Sequence, residues 1–165
     1  MKKVGIIMGS DSDLPVIEKT TGVLDELGVP YEVHIYSAHR TPQEAHDFAV
    51  NARESGFGAI IAAAGMAAHL AGAIAANTTL PVIGIPCKGP VFDGMDALLS
   101  TVQMPTGIPV ATVAVNGGAN AALLAAQILA VEDAELAGKL DAKRAKDSAA
   151  VLEKDRTVES RLMRK

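Results

Sequence analysis

Short apolar runs separated by helix-like segments constrain the fold of this 165-residue chain more than any other feature. Four of them, Val4–Met8, Tyr31–Ile35, Ala59–Ala63 and Val82–Ile85, are almost continuously apolar, and a fifth, Val110–Val115, comes later. An apolar run without alternation suits a strand covered on both faces, as in a parallel sheet between helical layers. Helical patterns fill the gaps at Pro15–Leu27, Pro42–Ser55, Ala67–Asn77 and Asp93–Val102. Gly28 and Gly56 stand where helices commonly end on glycine. The alternation predicts an α/β fold with an open, doubly wound parallel sheet and helices on both faces.

Composition sets the material of the core. Hydrophobic residues make up 49% of the chain and aromatics only 3%, so Ala, Val, Ile and Leu must fill the interior. The length suits a single domain, residues 1–165, with a core over about 3–131 and a helical extension over about 132–165. Asn120–Val131 carries no charge; one apolar face would cover the sheet, and an apolar second face would need another subunit. A last helix, roughly Asp133–Leu152, spaces Leu136, Leu140, Ala149 and Leu152 among mixed charges. It is expected to pack on a neighbouring subunit; the alternative is that it lies back on its own domain.

Several function classes are set aside at this stage. A net charge of −4 offers no broad basic field for nucleic acid. The single cysteine, Cys87, excludes an internal disulfide and a multi-cysteine metal cluster, and a small buried residue is the better expectation for it than a nucleophile. No apolar run approaches the roughly 20 residues of a membrane helix, and the first strand is too short for a secretory leader, so a cytoplasmic location is expected. No HExxH motif, carboxylate cluster or dinucleotide fingerprint occurs. The expected chemistry runs without metal or cofactor.

Ligands of open parallel sheets bind beyond the carboxyl ends of the strands, so the turns leaving those ends hold the candidate site residues. The first strand leads into Gly9-Ser10-Asp11-Ser12-Asp13, whose serines and free helix N–H groups could cradle a phosphate. Asp13 could face ribose hydroxyls or simply cap the helix; the two are compatible. The second leads into Ser37-Ala38-His39-Arg40-Thr41-Pro42, in which Thr41 is expected to cap the next helix. Arg40 can clamp a phosphate, and His39 can exchange a proton near neutral pH; the plain alternative for His39 is an exposed loop histidine. After the third come Ala64, Gly65, Met66, Ala67, Ala68, His69 and Leu70, whose small residues could leave backbone N–H groups open to a planar ring or a carboxylate, as an anion-binding nest. For His69 a structural and a catalytic role are equally open. The Lys88-Gly89-Pro90 loop could close over a pocket, whereas His34 and His46 read as structural.

The motifs Met8-Gly9-Ser10-x-Ser12-Asp13, Ser37-Ala38-His39-Arg40-Thr41-Pro42, Gly65-x-Ala67-Ala68-His69-Leu70, Val102-Gln103-Met104-Pro105 and Asn120-Ala121-Ala122-Leu123-Leu124-Ala125 carry a resemblance. In this order, from about Lys3 to Val131, the chain resembles the N5-carboxyaminoimidazole ribonucleotide mutases of purine biosynthesis, in their bacterial form. The resemblance implies a flavodoxin-like fold assembled as a homo-octamer, with C-terminal helices reaching across subunits. It also implies a cofactor-free shift of a carboxylate from N5 of the substrate to ring carbon C4, with His39 as general acid/base. Ser10, Ser12, Asp13, Ser37, Arg40, Gly65, Ala67, His69 and Leu70 would then bind the ribonucleotide.

Two other readings stay open. One is a direct carboxylase that adds free carbon dioxide to the unmodified aminoimidazole ribonucleotide. The other is a nucleotide-binding module of the same fold without catalysis. A signalling receiver of this fold, a binding and switching module, is disfavoured, because it would need an Asp ending the third strand, where Ala63-Ala64-Gly65 stands.

Overall fold

The structure, a computed structural model, describes residues 1–163. Its strands are β1 (Lys3–Met8), β2 (Tyr31–Ile35), β3 (Phe57–Gly65), β4 (Val82–Cys87) and β5 (Ala111–Thr112). They form one sheet in the order β2-β1-β3-β4-β5, parallel throughout. The helices are α1 (Leu14–Leu27), α2 (Pro42–Asn51), α3 (Leu70–Ala75), α4 (Met95–Val102), α5 (Gly118–Ala130) and α6 (Ala134–Leu162). This strand order is the flavodoxin-like one, in which the chain reverses direction across the sheet between β1 and β3. That reversal opens a crevice at their carboxyl ends, beyond the register pair Met8–Ala63.

Strand periodicity sorts the core into two layers. Val4, Ile6 and Met8, with Ala59, Ile61 and Ala63, join the layer built with α1 and α5. Ile7, Ile60 and Ala62 join the layer built with α2 and α3. Small residues bring the first layer close: a Cβ at Gly118 would lie 2.3 Å from the carbonyl oxygen of Val16, so α5 begins directly against α1. At the other end of α1, Gly28 takes φ 71° and the N–H of Val29 donates to the carbonyl of Leu24, closing the helix as expected of that glycine.

The departures from the sequence reading have local causes. The expectation of two covered faces fails at β2, where Val33 and Ile35 are exposed, because β2 is the sheet edge and the helical layers end there. The fifth strand shrinks to two residues. Beyond Val113 the chain turns away, with the N–H of Asn116 donating to the carbonyl of Pro86 at 2.9 Å. Helix α2 stops at Asn51, and turns carry the chain to Gly56. Helix α3 starts only at Leu70, after the positive φ of Met66, and α4 only at Met95, after Asp93 and Gly94 at φ 52° and 93°.

Helix α6 runs ten residues past the expected Leu152, to Leu162. Asp133 opens it by accepting from the N–H of Leu136 at 3.0 Å, and Leu136 and Leu140 are buried. Lys143 pairs with Glu26 of α1 at 3.3 Å. Beyond Leu140 no described residue is buried, and Val151, Leu152, Val158 and Leu162 face solvent in the single chain. At 1.5 Å per residue, residues 144–162 leave about 28 Å of helix with no side chain buried against its own domain. Among the described residues no helix is long and apolar enough to cross a membrane.

Candidate active site

A cleft of about 660 Å³ lies over the carboxyl ends of β1, β2, β3 and β4, at the reversal point of the sheet. Ser10, Ser12 and Asp13 reach it from the turn after β1, and Ser37, His39 and Arg40 from the turn after β2. Gly65, Ala67, His69 and Leu70 reach it from the end of β3 and the start of α3, and Lys88, Gly89 and Pro90 from the loop after β4.

The first turn is shaped by its serines. The hydroxyl oxygen of Ser10 accepts from the N–H of Ser12 at 3.3 Å and its proton goes to Asp11 at 3.1 Å. Asp11–Asp13 form one tight 3-10 turn that runs straight into α1. Asp13 therefore does not cap α1 with its side chain, which corrects the capping alternative. Its carboxyl is buried beside the Cys87 thiol. Burial pushes its pKa up from the ordinary carboxylate value; the thiol and the Ser10 N–H oppose that, and the Asp11 charge adds to it. Burial and the adjacent Asp13 carboxyl push the Cys87 thiol up to about 12, which leaves it protonated and unreactive.

The second turn is held by Ser37 and Thr41. The Ser37 hydroxyl oxygen accepts from the backbone N–H groups of His39 and Arg40 at 3.3 and 3.2 Å. Contrary to the expectation from sequence, Thr41 does not cap α2 with its hydroxyl. That oxygen instead accepts from the Ser37 N–H at 2.8 Å, tying the turn shut. The Arg40 guanidinium crosses to β1 and donates to the carbonyl of Gly9 at 2.7 Å, which fixes a cation beside the Ser10 turn. His39 and His69, from turns thirty residues apart, meet with Nε2 of His39 2.9 Å from Nδ1 of His69 and their rings edge to face.

The third turn is narrower than the open nest expected there. The N–H groups of Ala68 and His69 donate to the carbonyls of Met66 and Ala67 at 2.9 and 2.8 Å, and so are already occupied. His34 stacks on Tyr36 and the exposed His46 side chain lies beside Asp47 on α2, both away from the cleft. Two contributions were not read from sequence: the backbone turn made by Met66 and the loop anchor made by Asn116. Met66, at φ 56° and exposed, turns the chain at the cleft wall. Asn116, at φ 57°, accepts from the Lys88 N–H at 2.9 Å and so anchors the loop after β4. The Asn116-Gly117-Gly118 string is the only sequence signal for it, and it reads as a turn. Among the described residues no three His, Cys, Asp or Glu side chains cluster as a metal site.

The chain is similar to known proteins over nearly its whole length. The chain is 51% identical over 159 residues to the N5-carboxyaminoimidazole ribonucleotide mutase of Thermotoga maritima, covering 96% of this chain and 93% of that one. It is 52% identical to the phosphoribosylaminoimidazole carboxylase of Saccharomyces cerevisiae over 95% of its own length, but spans only 28% of that longer protein. The crystal structure of Treponema denticola PurE superposes with a TM-score of 0.81 at 31% identity, covering 98% of each chain. The family model for AIR carboxylase matches residues 3–150, from β1 well into α6. Fold and sequence thus agree, and the chain belongs to the AIR carboxylase family.

Proposed function

We propose that this protein converts N5-carboxyaminoimidazole ribonucleotide into 4-carboxy-5-aminoimidazole ribonucleotide, a step of purine biosynthesis. The observation that carries the reading is the joining of His39, Arg40 and the Ser10 turn in one cleft of an AIR carboxylase family member. Arg40, Ser10 and Ser12 hold the phosphate, for which a fixed guanidinium and serine hydroxyls are suited. Asp13 faces the ribose. Gly65, Ala67, His69 and Leu70 line the place of the ring, and Ser37 shapes the turn that presents His39 and Arg40.

The carboxylate leaves as carbon dioxide when its bond to N5 breaks, and the electron pair stays on nitrogen. Protonated His39 gives N5 a proton. Ring carbon C4 then attacks the carbon dioxide, and the proton lost from C4 returns to His39. No net proton, electron or cofactor is consumed. A histidine suits both steps because its charge changes near neutral pH.

The mutase reading is favoured over the direct carboxylase by the relatives that the chain covers over nearly their whole length, which are named N5-carboxyaminoimidazole ribonucleotide mutases. Assembly into a homo-octamer, with α6 lying on a neighbour, is part of the same proposal. It is supported by the uncovered length of α6 and by the exposed stripe Met95, Leu99 and Val102 along α4, with exposed Phe92 just before it.

The test is His39→Asn. Binding of the ribonucleotide product stays within a few-fold of the parent, and turnover falls by about 10²-fold or more. Undiminished turnover would remove His39 from the chemistry.

A further inference from the structure

The contact between His39 and His69 fixes more than the wall of the cleft. Their facing nitrogens, Nε2 of His39 and Nδ1 of His69, are 2.9 Å apart, a hydrogen-bond distance that requires one proton between them. Among the described residues, neither Nδ1 of His39 nor Nε2 of His69 has a protein partner. We infer that His69 is a positioning residue: its Nδ1 accepts from Nε2–H of His39 and keeps Nδ1 of His39 as the nitrogen that exchanges protons.

The direction of the bond is set by the protonation cycle, and this step rests on the function proposed above. When His39 is an imidazolium both its nitrogens carry protons, so Nε2 must donate and His69 Nδ1 must accept. Only one neutral tautomer of His39 preserves that bond without turning either ring, and it has its proton on Nε2. The pair then passes between charged and neutral forms with its hydrogen bond unchanged, and only Nδ1 of His39 gains or loses a proton. While its Nδ1 accepts this bond, His69 carries its own proton on Nε2.

A carboxylate could orient His39 equally well, as acidic partners of catalytic histidines do. It would also place a permanent anion beside a substrate that must release and regain a carboxylate. A neutral imidazole provides the acceptor without that charge. The charged groups lining the same cleft are Asp13, Arg40 and Lys88, and none of them hydrogen-bonds to either ring.

Two variants separate positioning from substrate contact. The Oδ1 of asparagine can stand where Nδ1 of histidine was, whereas alanine offers no acceptor. With N5-carboxyaminoimidazole ribonucleotide as substrate, His69→Ala is expected to lower kcat by about 10- to 100-fold with KM changed less than about 3-fold. His69→Asn is expected to recover most of kcat. Long-range ¹H–¹⁵N spectra of the full chain should show neutral His39 protonated on Nε2 in the parent and a tautomer mixture in His69→Ala. The inference is overturned if His39 in the parent carries its proton on Nδ1, if Asn is no better than Ala, or if Ala changes KM alone. Failure of the parent to turn over this substrate would instead overturn the proposed function, and the tautomer spectra would still decide the role of His69.

Discussion

At the residue scale, burial of Asp13 is the feature with the clearest physical consequence. Its carboxyl is held above the ordinary value of 3.8, so the folded chain binds this proton more readily than the unfolded chain. Stability from this group is therefore lost as pH rises from 3.8 through the raised value, and stays lost at neutral pH. Asp13→Asn should raise Tm at pH 7, with the gain shrinking as pH falls to 3.8 and below. Thermal melts across that range check it, and a gain independent of pH would contradict it. A residue kept at a cost to stability fits a binding role. Asp13, His39 and Arg40 were legible in the sequence because they come directly after apolar strands, where ligand sites of this fold class lie. The His39–His69 contact was not, since it joins two turns that only the β1–β3 crossover brings together. Asn116 was missed for a similar reason: its partner Lys88 is twenty-eight residues away.

At the element scale, the apolar runs located every strand, and the errors fell at ends where backbone conformation overrides pattern. Met66 and Asp93 adopt positive φ, which non-glycine residues rarely signal, and each delays the helix after it. The brevity of β5 depends on Asn116 pairing with Pro86, a tertiary bond with no periodic signature. Close approach of α1 and α5 was legible only as an abundance of small residues. Gly118→Ala tests that approach, because its Cβ would press on the Val16 carbonyl at 2.3 Å and on the Thr20 hydroxyl at 2.8 Å. A loss of about 1–3 kcal/mol is expected in urea unfolding. An unchanged midpoint would mean that the two helices separate without penalty.

At the scale of the whole molecule, the described domain accounts for only part of its apolar surface. The free length of α6 and the stripe on α4 leave large side chains in water that a second copy could cover. On the proposed assembly, the full chain should sediment as an eight-chain species. A chain ended after Asp141, which keeps Leu136 and Leu140, should remain folded by circular dichroism but sediment as a smaller species. A monomeric full chain would contradict the assembly. The central claim is that one carboxylate moves within one substrate. It is tested most directly by supplying substrate labelled with ¹³C in the N5 carboxylate, in a large excess of unlabelled bicarbonate. The account predicts that the label is retained at C4 of the product. An unlabelled product, with turnover that rises with bicarbonate, would contradict it.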